Sequence, residues 1–144
     1  MLLDAFVLVA HLIDEPAADE VAAMLHDRDD PPVVNAVNLA ETIDRSSRVG
    51  GLELVDVVQR ITWLRDGGLE VLAVDAFDGA VAGALRAQFY DRDTRPLSLA
   101  DCCALACAVR YGQAVATADP DLAWAAREMD LVVAPLPDSR GRRP

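Results

Sequence analysis

The chain has 144 residues, which is enough for one domain with a buried core but short for two. Its 24 acidic residues outnumber the 13 basic ones and give a net charge of −11, which argues against general polyanion binding because such binding depends on basic groups. Every basic residue is an arginine, so the lack of lysine excludes a P-loop and a Schiff-base enzyme.

Short apolar runs typical of strands alternate with helical patterns. In chain order, the first half predicts a strand at 1–4, helices at 5–13 and 17–27, a strand at 31–37, and helices at 38–50 and 52–66. The second half predicts a strand at 69–74, helices at 76–90 and 98–112 around a loop at 91–96, a strand at 113–117, a helix at 121–129 and a strand at 131–135. This alternation predicts an α/β fold with a mostly parallel sheet and helices on both faces.

The domain boundaries and the compartment follow from the remaining segments. We expect one domain at 1–136 and a disordered basic tail at 137–144. No apolar run approaches the ~18 residues of a membrane span, and the first residues lack a basic leader, so we expect a cytoplasmic protein without a membrane segment. Cys102, Cys103 and Cys107 lack a disulfide or zinc spacing, which indicates small apolar core residues in a reducing compartment.

Four acids lie where predicted strands end and helices begin. Asp4 follows the first strand, Asp119 follows the strand "AVAT", and Glu41 and Asp101 lie near the starts of two helices. In parallel sheets, loops from the carboxyl ends of several strands converge on one edge. We therefore expect the four side chains to point toward the same edge of the sheet.

Each acid taken alone also has a structural explanation. Asn38-x-x-Glu41 and Ser98-x-x-Asp101 fit the spacing of a capping box, and Asp75 precedes a helix as a cap. Such caps typically contribute about 0.5–2 kcal/mol each. The combination of acids, rather than any one of them, indicates a functional site.

Four ionised carboxylates close together would repel one another by on the order of 4 kcal/mol per close pair at a protein surface. A divalent cation offsets that repulsion, and Mg²⁺ is commonly held by one or two carboxylates together with water and substrate phosphates. Such ions support hydrolysis of phosphate esters. The pattern therefore favours a metal-dependent hydrolase.

Three blocks of the sequence resemble the PIN domain of VapC-type ribonuclease toxins. They are "LLDAFVLVAHLIDEP", "NLAET" and "RPLSLADCCALACAVRYGQAVATADPDL", and the last is the most specific because S-x-x-D and T-x-D-x-D-L occur in order around a helix and a strand. The resemblance implies a three-layer sandwich and an endoribonuclease that depends on Mg²⁺ or Mn²⁺. It implies that the catalytic, metal-binding quartet is Asp4, Glu41, Asp101 and Asp119, with Thr117 beside it.

The resemblance also implies a toxin that forms a homodimer, is neutralised by a cognate antitoxin, and leaves 5′-phosphate and 3′-hydroxyl ends on RNA, with tRNA and rRNA among the candidate substrates. Many relatives carry a small polar residue two positions after the first aspartate, where this chain has Phe6. Support for Asp4 must then come from another residue, and Thr117 is a candidate. Asp121 either supports the site or serves as the N-cap of the helix at 121–129, which is the simpler explanation.

Candidate RNA contacts are the arginines nearest the acids. Arg45 and Arg48 follow Glu41, and Arg92 and Arg95 precede Asp101, so they are placed to grip flanking phosphates. Solvated surface charge explains each arginine equally simply.

Two other functions are compatible with the sequence. One is an interaction module with the same fold and weak catalysis, which binds a partner through apolar helix faces. Partial exposure of Trp63 would be consistent with such a surface. The other is a small-molecule phosphatase, although the chain lacks a D-x-D pair after its first strand.

Overall fold

A parallel sheet forms the centre of the computed structural model, which describes residues 1–144. Its strands are β1 (Leu2–Leu3), β2 (Val33–Asn35), β3 (Glu70–Leu72), β4 (Val115–Thr117) and β5 (Val133–Pro135). They lie in the order β3-β2-β1-β4-β5, and every neighbouring pair is parallel. The first strand therefore occupies the centre of the sheet, and the predicted α/β fold with a parallel sheet is confirmed.

Seven helices pack on this sheet. They are α1 (Ala5–Leu12), α2 (Ala18–Leu25), α3 (Ala36–Arg48), α4 (Leu54–Asp66), α5 (Ala76–Phe89), α6 (Leu99–Tyr111) and α7 (Pro120–Glu128). No helix is both long enough and apolar enough to cross a membrane. Several predicted elements are shorter in the structure, and the strand predicted at 69–74 contains only Glu70–Leu72.

The central strands are buried on both faces because successive side chains of a strand point to opposite sides. Leu3 of β1 packs in a core with Val7 and Val21 of α1 and α2. The preceding Leu2 packs instead with Ala104 and Cys107 of α6. This alternation places helices on both faces, as the three-layer sandwich requires, and it makes the cysteines apolar core residues that are free and buried.

The start of α3 differs from the sequence-based prediction. Asn35, and not Asn38, is the N-cap, because its side-chain oxygen accepts hydrogen bonds from the amides of Val37 and Asn38, both at 2.9 Å. The capping box predicted for Asn38 and Glu41 is therefore wrong. Glu41 lies in the second turn of the helix, where it is not needed for capping.

Two other predicted caps are confirmed. Asp75 caps α5 through the amides of Phe77 and Asp78. Ser98 and Asp101 form a capping box at the start of α6.

The domain boundary at 136 remains a prediction. Residues 137–144, for which we expected disorder, are instead placed by local contacts, such as the hydrogen bonds from the amides of Arg140 and Arg142 to Asp138.

Candidate metal centre

The four predicted acids line one pocket of about 200 Å³ beyond the carboxyl ends of β1 and β4. They come from different elements, since Asp4 follows β1, Glu41 lies on α3, Asp101 lies on α6 and Asp119 precedes α7. The full lining consists of Asp4, Phe6, Glu41, Arg45, Asp101, Ala118, Asp119, Pro120 and Asp138. The sheet edge thus brings together carboxylates that are far apart in the sequence, as parallel topology predicts.

Asp4 is the most buried of these acids, with 5% of its surface exposed. Its Oδ2 accepts a hydrogen bond from Thr117 Oγ1 at 2.9 Å, and its Oδ1 accepts one from Asn38 Nδ2 at 3.3 Å. Burial, followed by the negative charges of Asp101 and Asp119, raises the pKa of Asp4 from 3.8 to about 7 against the lowering effect of the Thr117 hydrogen bond. A nearby cation would favour the ionised form of this carboxyl.

Asp119 is fixed by its own backbone surroundings. Its amide donates to Thr117 Oγ1 at 2.9 Å, and its Oδ1 caps α7 by accepting from the amides of Asp121 at 2.7 Å and Leu122 at 3.0 Å. The N-cap of α7 is therefore Asp119, and the prediction that Asp121 is the N-cap is wrong. The helix begins one residue earlier than predicted because Pro120 is well suited to the first helical position.

Asp101 has a capping role that leaves part of its carboxylate available. Its Oδ2 accepts from the amide of Ser98 at 2.7 Å, while its own amide donates to Ser98 Oγ at 3.0 Å. Burial raises the pKa of Asp101, and the charges of Asp119 and Glu41 add to the increase, whereas the hydrogen bonds from Ser98 lower it. Structural and functional explanations of this acid are thus compatible.

Arg45 is the only basic residue that lines the pocket, and it is already paired. Its Nη1 contacts Glu41 Oε1 at 3.3 Å across one helical turn. One arginine cannot neutralise the four acids of the predicted quartet, whereas Asp138, the fifth acid in the lining, pairs with Arg142. The pocket therefore keeps a strong negative charge that favours a cation.

Several predicted site residues lie outside the pocket lining. Arg48 pairs with Asp44 at 2.8 Å, Arg95 stacks over the ring of Trp124 at 3.7 Å, and neither Arg92 nor Asp121 lines the pocket. Thr117 is buried and reaches the site only through Asp4 and Asp119.

The donor set fits a hard divalent ion, because carboxylate oxygens are the ligands that Mg²⁺ and Mn²⁺ prefer. As placed, no group of three or more His, Cys, Asp or Glu side chains could by itself hold a metal ion. Oxygens of Asp4, Asp101 and Asp119 are engaged by local donors. This arrangement fits an ion held by one or two carboxylates and completed by water.

Asn38 and Asp138 belong to the site but were not identified as site residues from the sequence. Asn38 lies one turn before Glu41 on α3, so its i, i+3 spacing gives a signal that both side chains share a helix face. Asp138 lies in the segment after β5, and no pattern in the sequence predicts its contact with the pocket.

Comparison with solved structures supports this fold. VapBC2 from Rickettsia felis, bound to a promoter DNA fragment, has a TM-score of 0.68 at 13% identity over 92% of this chain and 96% of that chain. The sarcin-ricin loop cleaving toxin VapC20 from Mycobacterium tuberculosis has a TM-score of 0.67 at 16% identity over 86% and 93%. FitAcB from Neisseria gonorrhoeae has a TM-score of 0.59 at 22% identity over 92% and 94%.

No curated protein matches by sequence. The family model for the PIN domain, by contrast, matches residues 1–128, which include the whole predicted acidic quartet. The match extends from the first residue to the end of α7. The chain therefore belongs to the PIN domain family.

Proposed function

We propose that this protein is a Mg²⁺- or Mn²⁺-dependent endoribonuclease that acts as the toxin of a toxin–antitoxin pair. The observation that carries the proposal is the pocket in which Asp4, Glu41, Asp101 and Asp119 meet with only one, already paired, arginine. Membership of the PIN family and the likeness in fold to VapC20, described as a sarcin-ricin loop cleaving toxin, support the same activity.

The chain's own residues have distinct roles in this proposal. Asp4 and Asp101 would hold the principal ion, and Glu41 would bind it directly or through water. A divalent ion supplies an activated water molecule and stabilises negative charge on the phosphate in such hydrolases. Asp119 would support a second ion or orient the attacking water, and Thr117 and Asn38 would keep Asp4 in place.

Histidine is not needed as a general base. His11 and His26 do not line the acidic pocket, and a ring nitrogen of His26 contacts the carbonyl of Ala22 at 2.7 Å. The carboxylates are thus the only titratable groups in the lining besides Arg45.

The experiment that tests the activity is cleavage of purified tRNAs, rRNA fragments and unstructured RNAs by the partner-free protein. It is run with Mg²⁺, with Mn²⁺ and with EDTA, beside Asp101→Asn, which keeps an acceptor oxygen for the amide of Ser98. Asp75→Asn is the matched control, since Asp75 caps α5 outside the pocket and asparagine is an equally good cap. Metal-dependent cuts that Asp101→Asn abolishes and Asp75→Asn retains support the proposal.

An exposed apolar surface on α4 supports the antitoxin part of the proposal. Large apolar side chains are exposed there, namely Leu54, Val55, Val58 and Trp63, and Trp63 is 63% exposed. Solved neighbours include a toxin–antitoxin complex from Klebsiella pneumoniae. Tryptophans often contribute most of the binding energy of an interface. An antitoxin that covers α4 should therefore bind Trp63→Ala at least about tenfold more weakly than it binds the control variant Val132→Ala.

The same surface keeps a second candidate function open, a PIN-fold module that binds a partner and has little catalysis. This function would be favoured if the wild type and Asp101→Asn were equally inactive on every RNA while the wild type still bound metal. Hydrolysis of a small phosphomonoester without RNA cleavage would instead indicate a phosphatase.

A further inference from the structure

An RNA strand that enters the acidic pocket needs cations nearby. Most sequence-independent affinity for nucleic acids comes from basic groups that neutralise phosphates. This chain has a net charge of −11, so such groups are few. Several of its arginines are engaged away from the pocket, as Arg48 is with Asp44 and Arg110 is with Asp75 and Asp78. The arginines that line the acidic pocket or the pocket beside it are Arg45, Arg142 and Arg143.

Residues 138–143 fold into a tight turn, which we name the C-terminal hook. Asp138 Oδ1 accepts from the amides of Arg140 and Arg142, both at 2.8 Å, and Gly141 allows the turn with a φ of +77°. Asp138 Oδ2 accepts from Arg142 Nε at 2.9 Å and lies 2.8 Å from its Nη2. The carboxylate therefore fixes both the backbone of the hook and the direction of the Arg142 guanidinium.

The hook is attached to the residues that build the acidic site. The amide of the buried Leu136 donates to the carbonyl of Thr117 at 2.9 Å, and the Thr117 side chain donates to Asp4. On the other side, Arg143 Nη2 contacts Glu20 Oε1 at 2.6 Å and Nη1 donates to the carbonyl of Pro135. These contacts give the hook a defined position beside the pocket.

A second pocket of about 250 Å³ continues from the acidic one. Both pockets share Ala118, Pro120 and Asp138, and the second is completed by Arg142, Arg143 and Pro144. The Arg142 side chain is 70% exposed, and its Nη1 makes no hydrogen bond. A cationic group with free N–H donors thus stands immediately beyond the acids.

We propose that the C-terminal hook binds a backbone phosphate of the RNA strand that extends from the acidic pocket, with Arg142 as the contacting residue and Asp138 as the positioning residue. This inference rests on the proposed function, because it assigns the substrate path of the same site. Guanidinium groups suit phosphate oxygens through paired donors. The arginines of the hook outnumber its single acid by three to one, so it offsets part of the repulsion from the pocket.

The test measures RNA affinity separately from cleavage. In the Asp101→Asn background, anisotropy of a short fluorescein-labelled unstructured RNA is recorded from about 50 mM to about 1 M salt at constant Mg²⁺. Loss of one phosphate contact on a single strand reduces the salt slope by about 0.7, which is about eightfold in affinity over that range. We expect this change for Arg142→Ala, with thermal unfolding confirming that the variant folds.

Arg127→Ala is the matched control, because Arg127 is exposed in the last turn of α7 and lines neither pocket. Equal affinities and salt slopes for the Arg142 and Arg127 variants would overturn the proposal. The positioning role of Asp138 predicts that Arg142→Ala has a much smaller effect in an Asp138→Asn background. An undiminished effect there would contradict that role.

The outcomes separate this inference from the nuclease proposal. If the wild type cleaves RNA but the Arg142 and Arg127 variants bind RNA equally well, the proposed role of the hook is refuted and the nuclease proposal stands. If RNA binding depends on Arg142 but the protein cuts no RNA with either metal, the proposed role of the hook is supported and the nuclease proposal is refuted.

Discussion

The hydroxyl of Thr117 joins Asp4 to Asp119. Oγ1 donates to Asp4 Oδ2 at 2.9 Å and accepts from the backbone amide of Asp119 at 2.9 Å. One side chain at the end of β4 thereby fixes an acid that follows β1 and the loop that carries a second acid. The relative position of the two carboxylates depends on this hydroxyl.

Replacing Thr117 by valine keeps the shape of the side chain but removes both hydrogen bonds. Asp4 then loses a donor that favours its ionised form, so its pKa should rise further and its affinity for a cation should fall. Outer residues that orient metal ligands typically change metal affinity about 10–100-fold. Calorimetric titration with Mn²⁺ measures the change.

Thr117→Ser is the control, because it keeps the hydroxyl while losing a methyl group. We expect its Mn²⁺ affinity to remain close to that of the wild type. A serine variant that binds as weakly as the valine variant would point to packing around Thr117, rather than its hydrogen bonds, as the cause.

The raised pKa of Asp4 predicts an unusual pH dependence of stability in the metal-free protein. Between the unfolded value of 3.8 and the folded value of about 7, the folded state binds more protons at this group than the unfolded state. The free energy of unfolding should therefore fall as the pH rises through this window, by up to about 4 kcal/mol. The raised pKa of Asp101 acts in the same direction.

Urea denaturation in EDTA at several pH values between about 5 and about 8 measures this effect. Asp4→Asn stays uncharged, so its stability should depend less on pH and exceed that of the wild type at the upper end. Mg²⁺ should stabilise the wild type most at the upper end, where the acids are ionised. Parallel pH profiles for wild type and Asp4→Asn in EDTA would contradict the prediction.

The parallel sheet and the meeting of the four acids in one pocket were predictable because both depend on short patterns. Apolar runs that alternate with helical spacing indicate a parallel sheet, and acids after two such runs must then lie at one edge. The capping box of Ser98 and Asp101 spans only four residues, so it too was readable from the sequence.

The features that were missed depend on contacts distant in the chain or on competing local signals. Val37 extends the apolar run of β2 and so obscured the N-cap at Asn35. Pro120 occupies the first position of α7, which makes Asp119 rather than Asp121 its N-cap. The hydrogen bond from Asn38 to Asp4 joins residues 34 positions apart. Asp138 reaches the pocket only because β5 pairs with β4.

Glu41 and Asp44 offer a matched pair of substitutions on α3. Each accepts from an arginine one turn later, but only Glu41 lines the pocket. Such exposed pairs contribute about 0.3–0.5 kcal/mol, so Glu41→Gln and Asp44→Asn should both unfold near the wild-type temperature. Metal-dependent RNA cleavage should fall for Glu41→Gln alone, and equal rates for the two variants would remove Glu41 from the site.

The ion pair between Arg110 and Asp78 should be a main stability determinant away from the pocket. The Asp78 side chain is fully buried, its Oδ2 lies 2.8 Å from Arg110 Nη1, and its Oδ1 has no hydrogen-bond partner. Arg110→Met leaves a buried carboxylate without a cation, which typically destabilises a protein by about 3–5 kcal/mol. Urea denaturation gives the value.

The control for this pair is Arg48→Met, which breaks an exposed pair with Asp44 and should change the stability by no more than about 1 kcal/mol. Adding Asp78→Asn to Arg110→Met removes the unpaired charge and should recover most of the loss, because the penalty comes from the buried charge and not from the missing contact. A double variant as unstable as Arg110→Met would show that the arginine stabilises the packing of α5 against α6 through its guanidinium group, whose carbon lies 5.8 Å from the centre of the Phe77 ring and 5.3 Å from that of Tyr111.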